Sequence, residues 1–309
     1  MTFKKTKAWC RRTVLATLLL MVAACGTSVR LPETPVTGSV EAPQPPTRAP
    51  RLGLALGGGA ARGFAHVGVI QVLEQNGIRA DVVAGTSVGS MVAAMYASGK
   101  TAGELEAAAL SIEEAMLTDW SLPIFGRGVL RGEALTRYVR QSVGGKLLEN
   151  MKIPLGVLAT DLATGQGVLF RRGDAAQAVR ASSAVPGVFA PVSISGRDYV
   201  DGGLVAPVPV RQARDMGAEV VLAVDISSAP EGNPAVGSMQ VLLQTFAIMG
   251  QSINRHELGG ADLVVRPALT GVGGADFSAR LRSIEAGRAA MQAALPQLKA
   301  LLVRRLPAP

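Results

Sequence analysis

Short apolar runs alternate with longer segments of helical period along most of this chain. Leu52-Gly53-Leu54-Ala55-Leu56 is too short for a helix and has no polar face, so it predicts a buried strand. Phe64, Val67, Ile70 and Leu73 then recur about one turn apart, which predicts a helix over Phe64–Gln75 closed by Gly77. Ala80-Asp81-Val82-Val83-Ala84 reads as a second strand, and Ser90–Ser98 as a helix ended by Gly99. Further helices are predicted over Glu104–Ala115 and Gly132–Val143. Between them lies an apolar loop with Leu117, Trp120, Leu122, Ile124 and Phe125, which either packs on the core or serves as a lid or membrane-facing edge. Strands at Ile153–Ala159 and Val168–Phe170, a helix over Ala175–Ala181 and a turn at Tyr199–Gly203 come next. A helix over Val208–Met216, a strand over Glu219–Ile226 and a helix over Met239–His256 follow. A strand at Asp262–Arg266 and a helix over Ser278–Leu302 finish the chain. Strands alternating with helices indicate one α/β domain with a mostly parallel sheet, opening near Arg51.

The first 50 residues break this pattern. Residues 1–24 combine a basic start with an apolar stretch from Val14 to Val22, the build of a signal peptide and too short to span a bilayer. Val22-Ala23-Ala24-Cys25 resembles a bacterial lipobox, which makes Cys25 the expected lipidation site; two or more acyl chains give stable anchoring. By resemblance to Gram-negative lipoproteins, Gly26 after the cysteine implies the periplasmic face of the outer membrane as the location in the cell envelope. Arg11-Arg12 leaves twin-arginine export open beside the general route. Residues 25–50 carry Pro32, Pro35, Pro43, Pro45, Pro46 and Pro50 and read as a tether that cannot bury a core.

Charge looks like a nucleic-acid signal until it is located. The 309 residues carry a net +8, but five of the 31 basic residues lie before Cys25 with no acid among them. The remainder has 26 basic against 23 acidic residues, and aromatics are only 4%, which disfavours nucleic acid as a partner. Both cysteines, Cys10 and Cys25, precede the domain, so it holds no thiol. No metal-ligand spacing is present, and the expected chemistry needs no cofactor.

The candidate chemistry centres on Gly85-Thr86-Ser87-Val88-Gly89. A G-x-S-x-G between a strand and a helix reads as a nucleophile elbow: Gly85 and Gly89 allow a sharp turn that lifts the Ser87 hydroxyl to a helix N-terminus. The alternative is a plain glycine-rich turn with a capping serine. Gly57-Gly58-Gly59-Ala60-Ala61-Arg62-Gly63 fails the dinucleotide fingerprint, because Arg62 stands at its last position. It also lacks the lysine of a P-loop. Its remaining use is an oxyanion hole, with backbone N–H groups of Gly58 and Gly59 as donors. Two groups compete as the base. Asp201, in Asp201-Gly202-Gly203, would make a dyad; His256 would complete a Ser87-Asp201-His256 triad of α/β-hydrolase order. His66 reads as a packing histidine, and Ser182 and Ser183 as hydroxyls without an elbow.

These blocks carry a family resemblance. Leu52–Ile70 resembles the oxyanion block of bacterial patatin-like phospholipases, and Gly85–Gly89 their serine block. Ala181–Pro191 is similar to their third block and Asp201-Gly202-Gly203 to their aspartate block. The likeness runs from about Arg51 to the final helix. It implies a three-layer α/β/α patatin-like fold with a mostly parallel sheet. It further implies a Ser87–Asp201 dyad acting without histidine, through an acyl-enzyme, on fatty-acyl esters of phospholipids or lysophospholipids. Anchored on Arg62-Gly63, the family register places Ala60 at its third glycine. Gly58 and Gly59 are therefore the expected donors ahead of Ala60, with Arg62 supporting the loop. A different class, an envelope lipoprotein that binds lipid or protein without catalysis, is the other expectation to test.

Overall fold

The computed structural model describes residues 47–113, 119, 128–230, 236–303 and 306–307. The signal segment, Cys25, the tether as far as residue 46, and Leu117, Trp120, Leu122, Ile124 and Phe125 of the apolar loop lie outside them. The compact unit holding the described residues runs from Pro46 to Pro309.

In chain order the elements begin with β1 (Thr47–Arg48), β2 (Leu52–Leu56), α1 (Phe64–Gln75), β3 (Val82–Thr86), α2 (Val88–Ala97) and α3 (Ala102–Ser111). Next come β4 (Gly128–Leu130), α4 (Glu133–Ser142), β5 (Leu155–Asp161), β6 (Gly167–Phe170), α5 (Ala175–Ser182) and β7 (Gly187–Phe189). The chain continues through β8 (Val192–Ile194), β9 (Arg197–Asp201), α6 (Val210–Asp215), β10 (Val220–Val224), α7 (Ser238–Glu257), β11 (Leu263–Val265), α8 (Arg280–Leu302) and β12 (Leu306–Pro307).

The central sheet runs β11-β10-β2-β3-β5-β9-β8, with β6 also on β5. The first five strands are parallel; β6, β8 and β9 pair antiparallel. β5 organises the site. Its Leu155–Leu158 pair with β3, its Val157–Thr160 with β6, and its Ala159–Asp161 with β9. A strand residue has two edges, so β3 and β9 share one edge of β5. β3 occupies it up to Leu158 and β9 takes it from Ala159. The chain leaving β3 at Ser87 therefore meets the end of β9 at Asp201, 114 positions later by number.

Period-two alternation builds the layers. Leu52, Leu54 and Leu56 of β2 and Val220, Leu222 and Val224 of β10 share a core with α1, α2, α3 and α8. Ala55 of β2 and Val221 and Ala223 of β10 share the opposite core with Val210 and Ala213 of α6. Helices cover both faces, giving the α/β/α architecture. On the larger side α1 and α8 cross at backbone distance. A Cβ on Gly68 would lie 1.9 Å from the Ile284 carbonyl oxygen, and one on Gly287 1.9 Å from that of Ala65. No larger residue fits either position without separating the helices.

Several boundaries differ from the sequence reading for local reasons. α3 opens two residues early because Thr101 and Glu104 form a capping box, a feature that stabilises a helix by about 1 kcal/mol. α4 starts where the carboxylate of Asp119 accepts the N–H groups of Gly132, Glu133 and Ala134. α6 is shorter than predicted, since Pro209 stands at its N-cap. β4 and β7 form a two-stranded parallel pair that short, weakly patterned segments do not reveal. Thr47 to Pro50, assigned by composition to the tether, lie on the domain. β1 pairs with β12, and the Arg48 guanidinium donates to both carboxylate oxygens of Glu219 at 2.6 Å.

Candidate active site

β3 is buried along its whole length and stops at a residue that could not continue it. Ser87 has φ 54° and ψ −130°, a conformation that costs a non-glycine residue about 1–3 kcal/mol. Its neighbours make the turn possible. A Cβ on Gly85 would sit 2.5 Å from Ser90 Cα, and one on Gly89 2.2 Å from the Leu56 carbonyl oxygen. Side-chain hydrogen bonds on Ser87 and on its neighbour Thr86 help to hold the strained turn. The Ser87 N–H donates to Ser182 Oγ (2.8 Å), Ser90 Oγ donates to the Ser87 carbonyl (2.6 Å), and Thr86 Oγ1 donates to the Ala206 carbonyl (3.0 Å). Ser87 thus leads directly into α2, whose N-terminal dipole favours negative charge beside it.

Asp201 ends β9 opposite Ala159. Its backbone is fixed on both sides: its N–H donates to Ala184 O (3.0 Å) and Thr160 Oγ1 donates to its carbonyl (2.8 Å). Carboxylate oxygen Oδ1 accepts the Gly203 N–H at 2.7 Å. Oδ2 is buried without a completed hydrogen bond. Burial pushes the Asp201 carboxyl up from 3.8 to about 6, against the opposing pulls of the Ser87 hydroxyl and the Gly203 N–H. Ser87 therefore lies close enough to favour the charged form, while the hydrogen bond to Oδ2 is not closed. Such bonds commonly tighten only when substrate is in place.

The glycine loop follows β2. Gly57 N–H donates to Val224 O (3.1 Å), Gly58 N–H to Pro207 O (2.9 Å) and Ala61 N–H to Gly274 O (2.9 Å). The Arg62 N–H closes the turn onto Gly59 O (3.2 Å). Between these, the N–H groups of Gly59 and Ala60 have no acceptor among the described residues. This corrects the expectation for Gly58: its N–H is already committed to Pro207, and what its lack of a side chain supplies is space. A Cβ there would come within 3.1 Å of Ser87 Cβ. Ala60, the residue in place of a glycine, has φ 51° and so holds a glycine-like conformation at a local cost.

His66, in α1, lies directly beneath the loop. Its Nε2 is 2.8 Å from the Gly57 carbonyl, which can only accept, so Nε2 carries the proton. Burial pushes the imidazole down to about 4, leaving it neutral, with Nδ1 buried and unpartnered. Arg62 lines the cavity above Ser87, with its Nε buried and unpartnered. Burial lowers its pKa, and the Asp225 carboxylate opposes that shift.

Ser87, Asp201 and the loop from Gly58 to Gly63 line a cavity of about 730 Å³. Its walls are mostly apolar, with Met91, Met95, Leu105, Leu135, Phe189 and Phe277 among them. Its size falls in the range of small-ligand sites. His256 is exposed at the end of α7 and is absent from the wall of this cavity. The structure brings Ser87 and Asp201 together and leaves His256 outside.

A family model described as patatin-like phospholipase matches residues 54–214, more than half of the chain. The chain belongs to the patatin-like phospholipase family. An uncharacterized NTE family protein of Mycobacterium tuberculosis is 38% identical over 183 residues, 59% of this chain and 51% of that protein. A protein named lysophospholipase NTE1 of Saccharomyces cerevisiae is 33% identical over 189 residues, 59% of this chain but 11% of that protein. The matched part of the chain thus spans about half the length of the mycobacterial relative and a small part of the yeast one. Among solved structures, VipD from Legionella pneumophila aligns with a TM-score of 0.54 at 14% identity. That alignment covers 81% of this chain and 67% of VipD, a likeness of fold.

Within this patatin-like domain, two residues have larger roles than their sequence context suggests. Ser182, at the end of α5, holds the elbow by accepting the Ser87 N–H while fully buried. His66 holds Gly57 and with it the start of the glycine loop. The signal for Ser182 was its position in the third block; for His66 it was a lone histidine on an otherwise apolar helix.

Proposed function

We propose that this patatin-like protein is a serine hydrolase that cleaves fatty-acyl esters of phospholipids or lysophospholipids through a Ser87–Asp201 dyad. One observation carries the proposal. A serine in a strained strand-to-helix turn adjoins a buried carboxyl, raised to about 6, on the wall of an apolar cavity. The similarity to a yeast protein named a lysophospholipase supports the substrate class.

Asp201 Oδ2 takes the hydroxyl proton as Ser87 Oγ attacks the ester carbonyl. The carbonyl π electrons move to oxygen, and the Gly59 and Ala60 N–H groups stabilise that oxyanion. Losing one such donor typically costs about 3 kcal/mol of barrier. The C–O bond to the glycerol oxygen breaks, and protonated Asp201 returns the proton to the departing alcohol. Water, deprotonated by Asp201, then attacks the acyl-enzyme, releasing fatty acid and restoring Ser87. A carboxyl near 6 is charged at neutral pH yet basic enough to accept a proton. His66, neutral and hydrogen-bonded to Gly57, takes no proton in this cycle.

The N-terminal segment extends the proposal to location. Residues 1–24 act as a signal peptide and Cys25 carries the lipid anchor. The tether then holds the domain, from about Thr47, near a membrane at the periplasmic face of the outer membrane. An acylated N-terminal Cys25 peptide in the mass spectrum of the mature protein is the expected result; an unmodified one contradicts it. For the chemistry, fatty acid release from lysophosphatidylcholine by the purified protein is expected to vanish in both Ser87→Ala and Asp201→Ala. Retention of wild-type turnover in either variant contradicts the dyad.

A further inference from the structure

α7 is the helix whose exposure its composition does not explain. Asn254 is its sole buried residue. Met239, Val241, Leu243, Ile248 and Met249 are exposed, Val241 by 50% and Ile248 by 53%. From Ser238 to Asn254 there is no Asp, Glu, Lys or Arg. A helix lying in water ordinarily turns charged residues outward, and grouped exposed apolar side chains mark a contact surface. The inner side of α7 contributes Phe246, Ala247 and Gly250 to the wall of the cavity that holds Ser87 and Asp201. Leu243 and Met249 belong to both surfaces, being exposed and cavity-lining at once. Apolar surface therefore passes from the outer face of α7, over this rim, into the cavity.

We infer that the outer face of α7 seats on a lipid bilayer, and that acyl chains cross the Leu243–Met249 rim to reach the Ser87–Asp201 pair. The inference rests on the reading of this domain as a hydrolase of membrane lipids. The bilayer is the occupant that these observations favour. An uncharged helix face has no ion pairs to offer a charged protein surface, whereas its partition into the acyl boundary of a bilayer grows with its apolar area. A second copy of the chain seated there would cover Leu243 and Met249, and with them the route to the cavity. A lipid surface covers the same side chains while supplying the molecule that enters.

The test uses the full chain on a Cys25→Ser background, so that no acyl anchor contributes, and vesicles of pure phosphatidylcholine. Val241 and Ile248 are exposed and do not line the cavity, so they are replaced together as Val241→Glu and Ile248→Glu. Co-flotation with vesicles is expected to fall roughly tenfold or more. Hydrolysis of the vesicles should fall with it, while hydrolysis of a monomeric short-chain ester stays at the level of the parent. Unchanged flotation overturns the inference. So does a change from dimer to monomer by light scattering, which would assign the face to a second copy. Should the glutamate pair lose the soluble activity as well, Val241→Ser with Ile248→Ser decides on the same criteria. A parent that floats but hydrolyses neither substrate contradicts the hydrolase reading and leaves the docking result to stand on flotation.

Discussion

Asp201→Asn should abolish turnover and, above neutral pH, make the protein more stable. The carboxyl moves from 3.8 in the unfolded chain to about 6 in the folded one because burial strips its solvation. At about 1.4 kcal/mol per pH unit, holding it charged costs the folded state about 3 kcal/mol. The sign follows from proton binding. A group with a raised folded pKa binds its proton more tightly when folded, so wild-type stability is highest below 3.8 and declines as pH rises through about 6. Asparagine removes the charge and can still accept the Gly203 N–H, but it leaves a buried NH₂ near Oδ2's position. That unpaired donor costs about 1–3 kcal/mol at every pH. The absolute gain at alkaline pH is thus small, about 1 kcal/mol. The robust quantity is the change in relative stability between about pH 4 and about pH 8, which should come to about 2.4 kcal/mol in favour of the variant. His66 titrates in part of the same window but is common to both proteins and cancels. Denaturant unfolding followed by circular dichroism at several pH values measures this difference. In parallel, kcat/KM of the wild type on a soluble ester should rise with pH and level off above about 6. A relative stability of the two proteins that does not vary with pH would contradict a raised Asp201 pKa, as would an ascending limb centred far from 6.

The remaining predictions concern the loop beside the pair. Gly58→Ala brings a methyl within 3.1 Å of Ser87 Cβ, so kcat should drop roughly tenfold or more while thermal unfolding shifts little. Ala60→Gly removes a left-handed alanine at φ 51°, offset in part by the freer unfolded chain. It should stabilise the protein by about 0.5–1 kcal/mol in chemical denaturation with activity retained. His66 has its folded pKa lowered from 6.5 to about 4, so its contribution is intact above 6.5 and is lost as pH falls through 4. Replacing it with leucine should remove that acid-side loss in an unfolding titration, while reducing kcat because Gly57 loses its hydrogen bond.

Much of the fold was legible because α/β proteins write their layers in plain periodicity. β2 and β10 are short apolar runs, α1 carries its one-turn spacing, and each reading landed on an observed element. What escaped depends on distant partners. Whether Gly58 or Ala60 donates to an oxyanion turns on the Pro207 carbonyl, which no local pattern points to. The direction of the Asp201 pKa was open from sequence, since burial and N–H donors oppose each other. In the fold, burial wins. Ser182 could not be connected to Ser87 until β5, α5 and the elbow were assembled. The exposure of α7 was hidden for the opposite reason: its apolar repeat looks like that of any packed helix. The sequence offered a lid or membrane-facing edge at the Trp120–Phe125 loop, with packing on the core as the alternative, and that loop lies outside the described residues.

Activation of Ser87 as a nucleophile by Asp201 is open to one decisive test. The most direct measurement is covalent capture: folded protein treated with a fluorophosphonate probe, then digested and sequenced by mass spectrometry. One adduct is expected, on Ser87, formed much more slowly in Asp201→Asn and at the wild-type rate in His256→Ala. An unlabelled Ser87 in protein that still hydrolyses ester, or labelling that stops with His256→Ala, would contradict it.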